Sequence, residues 1–283
     1  MKIVMMGSGG VGGYFGARLV AGGADVHFVA RGAHLQAMRS QGLTIEGGPA
    51  PLHLSKVQVT DDPSSIGTAD FVLIGVKLWD TAAAIEQVKP IVGPQTTVIS
   101  FQNGVLKDRY LIDAFGISRV MGGVGYVATS IARPGVIQQT GTMQRLLFGE
   151  LDGTTSERGQ RLLEHCLKGG IAAQLSQNIQ CEIWQKFVFL VGLSGTTTTI
   201  RTPIGPIREN PQTRAFLRDV MREVVAVAHG QGIDLPSDYA EQRLALVDDV
   251  AYDMTSSMHH DLEHSNKLEV RWLSGAVVEL GEP

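Results

Sequence analysis

The sequence predicts an α/β protein: an N-terminal doubly wound parallel sheet over residues 1–176, followed by an all-helical C-terminal domain over residues 177–283. In the first part, short continuous apolar runs alternate with helix-like segments, as buried parallel strands alternate with crossover helices. After about residue 175, long segments with helical periodicity replace the strand-like runs. A chain of 283 residues that is 43% hydrophobic is large enough to form two cores.

Four segments are predicted to be strands, and the last two are continuous apolar runs that end in polar residues. They are KIVMM (2–6), DVHFVAR (25–31), DFVLIGVK (70–77) and TTVISFQNG (96–104). The segment GGYFGARLVAG, closed by Gly22 and Gly23, is the helix expected between the first two strands. WDTAAAIEQVKPIV (79–92) is the crossover helix expected between the last two.

Four periodic segments in the second part are predicted to be helices. They are CEIWQKFVFLVGL (181–193), NPQTRAFLRDVMREVVAVAHGQG (210–232), SDYAEQRLALVDDVAYDM (237–254) and LEHSNKLEVRWLSGAVVELG (262–281). TTTTIRTPIG (196–205) is predicted to be a loop or turn between the first two.

Composition narrows the class of protein. The net charge is −4, and no basic stripe is interleaved with aromatic residues, so nucleic acid is not an expected partner. Two isolated cysteines, Cys166 and Cys181, are typical of a reducing compartment. Glycines interrupt the N-terminal apolar run, and no apolar run reaches the ~18 residues of a membrane span. We therefore expect a soluble cytoplasmic protein without membrane contacts.

The segment GSGGVG follows the first predicted strand and opens the first predicted helix. In this context Gly7 permits the tight turn, Gly9 lets the backbone approach a pyrophosphate, and Gly12 lets helix and strand pack closely. A Rossmann-type dinucleotide site is predicted, with a glycine-rich turn that binds nothing as the alternative. Its expected cofactor-binding residues are Gly7, Ser8, Gly9, Gly10, Val11 and Gly12.

The end of the second strand indicates which dinucleotide binds. NAD sites usually place an acidic residue there to accept from the ribose 2′-hydroxyl. This sequence instead has FVARG, with Arg31 and no acid nearby in the sequence. A guanidinium can bind a 2′-phosphate through paired charged hydrogen bonds, so NADP(H) is predicted. An ordinary surface arginine at a strand end is the alternative.

Lys186 interrupts an otherwise apolar surface in EIWQKFVFLVGLSG. It could extend its amine to water or pair with Glu182, one helical turn earlier. Because substrates of dinucleotide-dependent enzymes bind in interdomain clefts, a third interpretation is functional. A lysine there can donate a hydrogen bond, and then a proton, to a carbonyl oxygen that is being reduced.

Five ordered segments together resemble the ketopantoate reductase (2-dehydropantoate 2-reductase) family. They are KIVMMGSGGVGGYFGARL, VKLWDT, FQNGV, EIWQKF and SSMHHDLEHSNKLEV. The resemblance spans nearly the whole chain. It implies NADPH-dependent reduction of ketopantoate to pantoate in the pantothenate pathway.

The resemblance also implies roles for individual residues. Lys186 matches the catalytic lysine, and Glu269 matches a glutamate near the nicotinamide ribose and the substrate. Asn103 matches an asparagine that contacts cofactor and substrate, and Ser257 a serine that binds the substrate carboxylate. The remaining cofactor-side matches are Arg31, Lys77 and Ala128.

Three positions depart from the family pattern. Leu190, Ser194 and Ile204 stand where relatives often have asparagine. A related 2-oxo acid is therefore an alternative substrate, with Ser194 and the hydroxyls of Thr196–Thr199 binding it instead. The chain also ends at VVELGEP, where relatives usually continue through another helix, so a truncated or naturally short member is expected.

Two other functions are weighed against the reductase. HDLEH (260–264) matches an inverted zinc-binding pattern, but spacing offers no third ligand, so no metal site is predicted. A non-catalytic NADP(H)-binding sensor stays open, although a sensor needs neither Lys186 nor Glu269. Helical second domains often form homodimers, which is a general expectation here.

Overall fold

The computed structural model describes residues 1–282 and divides into two compact units. The first unit contains residues 1–102 and 107–179. The second contains the chain from residue 180 onward together with the short segment 103–106. Among the described residues, no helix combines the length and the hydropathy that crossing a membrane requires.

The first unit contains all ten strands found in the described part of the chain. They are β1 Lys2–Met6, β2 Asp25–Val29, β3 Leu43–Gly47, β4 Leu52–Leu54, β5 Gln58–Thr60, β6 Phe71–Ile74, β7 Thr97–Ser100, β8 Val120–Arg133, β9 Val136–Gly149 and β10 Ala172–Leu175. Its helices are α1 Gly10–Ala21, α2 Gly32–Gln41, α3 Thr81–Val88, α4 Lys107–Phe115 and α5 Glu157–Lys168. The four predicted strands are confirmed as β1, β2, β6 and β7.

One half of the sheet is parallel, in the order β5-β2-β1-β6-β7-β8. The chain runs from β1 to β2 on one side and later enters β6 on the other. The strand order therefore reverses between β1 and β6, and the carboxyl ends at such a switch point are where open α/β sheets bind ligands. The loops after β1 and β6 are thus the first place to look for a site.

Side chains of β1 alternate between two hydrophobic cores. Ile3 and Met5 pack in one core with Phe15 of α1, whereas Val4 and Met6 pack in the other with Leu111 of α4. A strand that is buried on both faces needs helices on both faces. The predicted fold class, a doubly wound α/β sheet followed by a helical region, is confirmed.

The other half of the sheet makes it mixed rather than purely parallel. β8 and β9 form a long antiparallel hairpin, and β9 then pairs in parallel with β3 and β10. The hairpin was not predicted, because its strands carry several glycines and polar residues and lack a continuous apolar run.

Lys107, the first residue of α4, is 1% exposed. Its ammonium donates to Ser100 O at 3.0 Å, to Gly123 O at 2.9 Å and to Asp108 Oδ1 at 2.9 Å. All three of its protons are therefore bonded, which is what a buried ammonium requires. Burial raises the pKa of the Asp108 carboxyl, and the adjacent Lys107 charge opposes that rise. The bonds of Lys107 join the end of β7 and the first part of β8 to the start of α4.

The second unit is helical in the described residues. Its helices are α6 Ile179–Ile200, α7 Ile204–Glu209, α8 Pro211–Gly230, α9 Tyr239–Leu246, α10 Ser257–Glu263 and α11 Ser274–Gly281. Asn210 caps α8 by accepting from Gln212 N and Thr213 N. Gly192 lets α6 approach α8 closely, since a Cβ there would meet the Met221 side chain.

The predicted loop over residues 196–205 is wrong in its first half, because α6 continues to Ile200. The hydroxyls of Thr196 and Thr197 donate to the carbonyls of Gly192 and Leu193, four residues earlier. These bonds let β-branched threonines continue a helix. The helix ends where Arg201 adopts a left-handed φ of 58°.

Two predicted helices are shorter than expected. The segment 237–254 is helical only over α9. The segment 262–281 is interrupted between α10 and α11, because Ser265 takes a left-handed φ of 56° and Asn266 N donates back to Asp261 O. Serine and asparagine favour such turns. The sequence did not predict this turn because the residues around it have the periodicity of a helix.

We predict that Lys107→Ala lowers the free energy of unfolding of the first unit by about 3 kcal/mol, because it leaves a buried carboxylate without its partner. The control is Lys89→Ala, which removes an exposed ion pair with Glu86 and should cost less than about 1 kcal/mol. Urea unfolding measures both. Equal losses for the two variants would contradict the structural role of Lys107.

Candidate functional site

The turn between β1 and α1 depends on two of its glycines for reasons internal to the protein. Gly7 has a φ of +94°, and a Cβ there would clash with Val76, which follows β6. At Gly12 a Cβ would clash with the carbonyl of Gly7. Both positions therefore require glycine for the chain to turn sharply and for α1 to pack against the turn.

Gly9 differs from the other two, because no protein atom lies within 4 Å of where its Cβ would be. Its φ of −70° is also open to any residue. Nothing in the protein demands glycine here, so the missing side chain leaves space for a ligand at the backbone. The first N–H groups of α1 have no intrahelical acceptor, and such groups favour an anion. The turn therefore fits a pyrophosphate.

The predicted 2′-phosphate residue Arg31 lies just before α2, with its side chain 85% exposed. Its guanidinium donates to Asp80 Oδ2 at 2.9 Å. The sequence showed no acid near Arg31, but the fold brings one from 49 residues away. A phosphate bound by Arg31 would therefore compete with the Asp80 carboxylate for the guanidinium.

Two other predicted cofactor residues are exposed in the first unit. Lys77 follows β6, and its ammonium lies 5.6 Å from the centre of the Trp79 ring. Ala128 lies in β8 opposite Thr140, where a bulge shifts the register after Val127. A bulge at this place frees local backbone groups from regular pairing.

In the second unit, the Lys186 ammonium donates to Asn103 Oδ1 at 2.9 Å. Lys186 is half-buried on α6, so it is not the buried lysine that the apolar sequence around it suggests. The preceding residue, Gln102, donates to Val76 O at 3.0 Å and to Thr81 Oγ1 at 2.8 Å. These bonds fix the backbone just before Asn103. An amine and an amide that are both positioned in this way can bind a carbonyl or carboxylate oxygen.

Ser257 is exposed at the start of α10. Its neighbour Ser256 is buried and caps that helix by accepting from His259 N at 3.1 Å, while also bonding to Thr197 Oγ1 at 3.0 Å. The cap leaves the Ser257 hydroxyl on the surface at a helix N-terminus, where anions bind favourably. Glu269 is only 7% exposed, in the turn between α10 and α11.

Three departures from the family pattern have different environments. Leu190 is half-buried, whereas Ser194 and Ile204 are fully buried. The Ser194 hydroxyl has no hydrogen-bond partner among the described residues. The hydroxyls of Thr196 and Thr197 donate to backbone carbonyls of α6, whereas the buried Thr198 hydroxyl has no hydrogen-bond partner among the described residues.

The residues that sequence reasoning missed are Asp80, Gln102 and Lys107. Each acts through a contact that long-range folding creates. The buried polar pair in LKDRY was the one local signal, since adjacent charges after a buried strand need partners. His260 and His264 of HDLEH have their rings 4.0 Å apart, and the described residues hold no group of three potential metal ligands.

A family model described as Ketopantoate reductase PanE/ApbA matches residues 3–153, and its C-terminal counterpart matches residues 178–283. The chain belongs to the ketopantoate reductase family. A 2-dehydropantoate 2-reductase of Mesorhizobium japonicum is 32% identical, covering 99% of this chain and 91% of that protein. Members with this name act on a small keto acid, so the chain is an oxidoreductase of that family.

Solved structures agree with this assignment. The 2-dehydropantoate 2-reductase of Geobacter metallireducens GS-15 matches with a TM-score of 0.92 at 26% identity, covering 99% of this chain and 93% of that one. A D-mandelate dehydrogenase in complex with NADH and anilino(oxo)acetate matches with a TM-score of 0.89 at 17% identity, covering 99% and 92%. The second match shows a shared fold. The D-mandelate dehydrogenase with that fold binds the nicotinamide cofactor NADH.

Proposed function

We propose that this protein reduces 2-dehydropantoate (ketopantoate) to pantoate with NADPH, as a cytoplasmic enzyme of pantothenate biosynthesis. The observation that carries the proposal is the 2.9 Å hydrogen bond that holds the Lys186 ammonium against Asn103. The positioned ammonium is the proton donor that reduction of a keto group requires. The membership of the chain in the ketopantoate reductase family also supports the proposal. A homodimer is part of the proposal, and sedimentation tests it.

A bound NADPH would supply the hydride to the keto carbon. Lys186 would donate a hydrogen bond to the keto oxygen and then transfer a proton to the developing alkoxide. Asn103 would orient Lys186 and bind substrate, and Ser257 would bind the carboxylate from the exposed start of α10. Glu269, buried and acidic, would orient the lysine or the ribose.

The turn Gly7–Gly12 would hold the pyrophosphate. The open space at Gly9 supports this role, because it is the space that the backbone needs to approach a phosphate. Arg31 would bind the 2′-phosphate, Lys77 would contact the cofactor, and Ala128 would offer a backbone contact.

A second candidate is an NADPH-dependent reductase of a different 2-oxo acid. Leu190 favours it, since it presents an apolar side chain one helical turn after Lys186 where relatives often have an amide. Ser194 would bind such a substrate only after its surroundings moved, because it is fully buried. A third candidate is a sensor that binds NADPH without oxidising it. NADPH oxidation with ketopantoate and with smaller and bulkier 2-oxo acids distinguishes the three.

We predict that Lys186→Ala lowers kcat by roughly 10²–10⁴-fold while NADPH binding is unchanged, because only the proton donor is lost. Lys186→Arg should also be slow, since a guanidinium donates hydrogen bonds but does not release its proton near neutral pH. Gln185→Ala, on the same helix, is the control and should turn over normally. Steady-state kinetics with ketopantoate measure kcat, and undiminished turnover by Lys186→Ala rules out this mechanism.

Gly9→Ala should weaken NADPH binding by about tenfold or more with little change in thermal stability, because the added methyl occupies only ligand space. Gly230→Ala is the matched control, because a Cβ added at Gly230 also has no protein atom within 4 Å. This control should bind NADPH with the affinity of the wild type. Fluorescence titration gives Kd for both variants. Normal NADPH affinity in Gly9→Ala would show that the phosphates bind elsewhere.

Asp80→Asn should tighten NADPH binding about two- to fivefold and leave NADH binding unchanged. The substitution frees Arg31 from an exposed ion pair and removes a negative charge beside the 2′-phosphate. Arg31→Ala should do the reverse, weakening NADPH far more than NADH. Kd values for both cofactors test the pair of variants. If Arg31→Ala weakened both cofactors equally, the assignment of NADPH would be wrong.

A further inference from the structure

His34 bridges two loops of the first unit. It lies in the first turn of α2, half-buried. Its Nε2 is 2.9 Å from Ser8 O in the glycine-rich turn, and its Nδ1 accepts from Gly135 N at 3.1 Å in the turn between β8 and β9. Gly135 is itself tied to β3, because Thr44 N donates to its carbonyl at 2.9 Å. The imidazole thus connects the glycine-rich turn to the β8–β9 turn and, through it, to β3.

These two partners define the protonation state of the ring. A carbonyl oxygen only accepts, so Nε2 carries the proton, and a backbone N–H only donates, so Nδ1 carries none. The bridge therefore exists in one neutral tautomer. A second proton on Nδ1 would set two N–H groups against each other and break the bond to Gly135.

The bridge acts on the residue just before the free N–H groups of α1. Ser8 already donates to Val29 O from its backbone N at 3.1 Å and from its Oγ at 3.0 Å. The bond from His34 holds the carbonyl of the same residue. With Ser8 held at three atoms, the backbone of Gly9 and Gly10 is ordered before a ligand arrives, so less conformational entropy is lost on binding.

Charged groups on the neighbouring elements are paired with other residues. Arg31, just before α2, pairs with Asp80, and Arg39 of α2 pairs with Asp61 just after β5. Beside the β8–β9 turn, Arg133 pairs with Glu46 of β3, and residues 7–13 of the glycine-rich turn carry no ionisable side chain. Burial lowers the pKa of His34 from its ordinary value of 6.5, and the bond to Ser8 opposes this.

We propose that His34 is a positioning residue for the dinucleotide: its neutral ring ties the glycine-rich turn to Gly135 of the β8–β9 turn in the binding conformation, and protonation breaks that tie at Gly135 while the bond to Ser8 O remains. The inference rests on the proposed function, because it takes NADP(H) as the ligand of that turn. Since the neutral form makes the bridge, the cofactor affinity that His34 contributes is present above pH 6.5 and is lost as the pH falls through its lowered pKa.

The test measures Kd for NADP⁺, which is stable in acid, by calorimetry between pH 5 and pH 8. His34→Leu should bind about five- to tenfold more weakly than wild type at pH 8, and the ratio should shrink as the pH falls through the lowered pKa of His34. The 2′-phosphate titrates equally in both complexes and cancels in the ratio. His34→Gln retains a donor for Ser8, and His34→Asn retains an acceptor for Gly135, so each should restore part of the affinity. The control is His53→Gln, which alters an exposed histidine of β4 bonded to Thr44.

A second measurement needs no variant. Histidine ¹⁵N NMR of the wild type should show the Nε2–H tautomer of His34 at pH 8, and NADP⁺ should lower the pKa of this ring, because linkage is reciprocal. A ring that is protonated at pH 8, or whose pKa does not respond to NADP⁺, overturns the inference. So does a Kd ratio that is independent of pH. If the wild type binds no NADP⁺ at any pH, the proposed function fails instead.

Discussion

The structure depends on the close approach of Gly12 to the carbonyl of Gly7. Because neither residue carries a side chain, α1 starts directly above the end of β1, in the centre of the parallel half of the sheet. That start lies at the switch between β1 and β6, where the loops on either side diverge and leave room for a ligand. Two glycines are thus required by the packing of the protein itself, whereas a Cβ at Gly9 would meet open space.

Buried polar side chains hold the loops around this sheet in place. Gln102 bonds to the loop after β6, and Lys107 bonds to the end of β7 and to the first part of β8. Both side chains have their hydrogen bonds met by backbone or by a neighbouring side chain. Lys107 and Lys186 differ in their environments. Lys107 is fully buried and bonded on all sides, which suits a structural role, whereas Lys186 is half-buried with its amine beside an amide. This partial exposure suits the proton donor of the proposed function, because the proton of such a donor must be replaced after each turnover.

The sequence predicts those features whose cause is local. β1, β2, β6 and β7 are largely apolar runs. The glycine-rich turn was predictable because Gly7, Gly9 and Gly12 lie close together in the sequence. The β8–β9 hairpin has no such run, and the extension of α6 through its threonines depends on hydroxyl bonds that composition does not reveal. Contacts across long separations were also invisible. The Arg31–Asp80 pair exists only because β2 and β6 flank β1, so no reading of the segment around Arg31 could have found the acid.

The three departures from the family pattern differ in how directly they could affect substrate choice, because their surroundings differ. Ile204 is fully buried, and its backbone N bonds to Met254 O at 2.9 Å, so its side chain belongs to the core of the helical unit. Ser194 is equally buried, and its small hydroxyl cannot reach as far as the amide it replaces. Leu190 alone is partly accessible, on the face of α6 that carries Lys186. Under the proposed function, an amide lost at this one position would remove a donor close to the reacting carbonyl without adding a charge. The proposed choice between ketopantoate and a more apolar 2-oxo acid therefore depends mainly on Leu190.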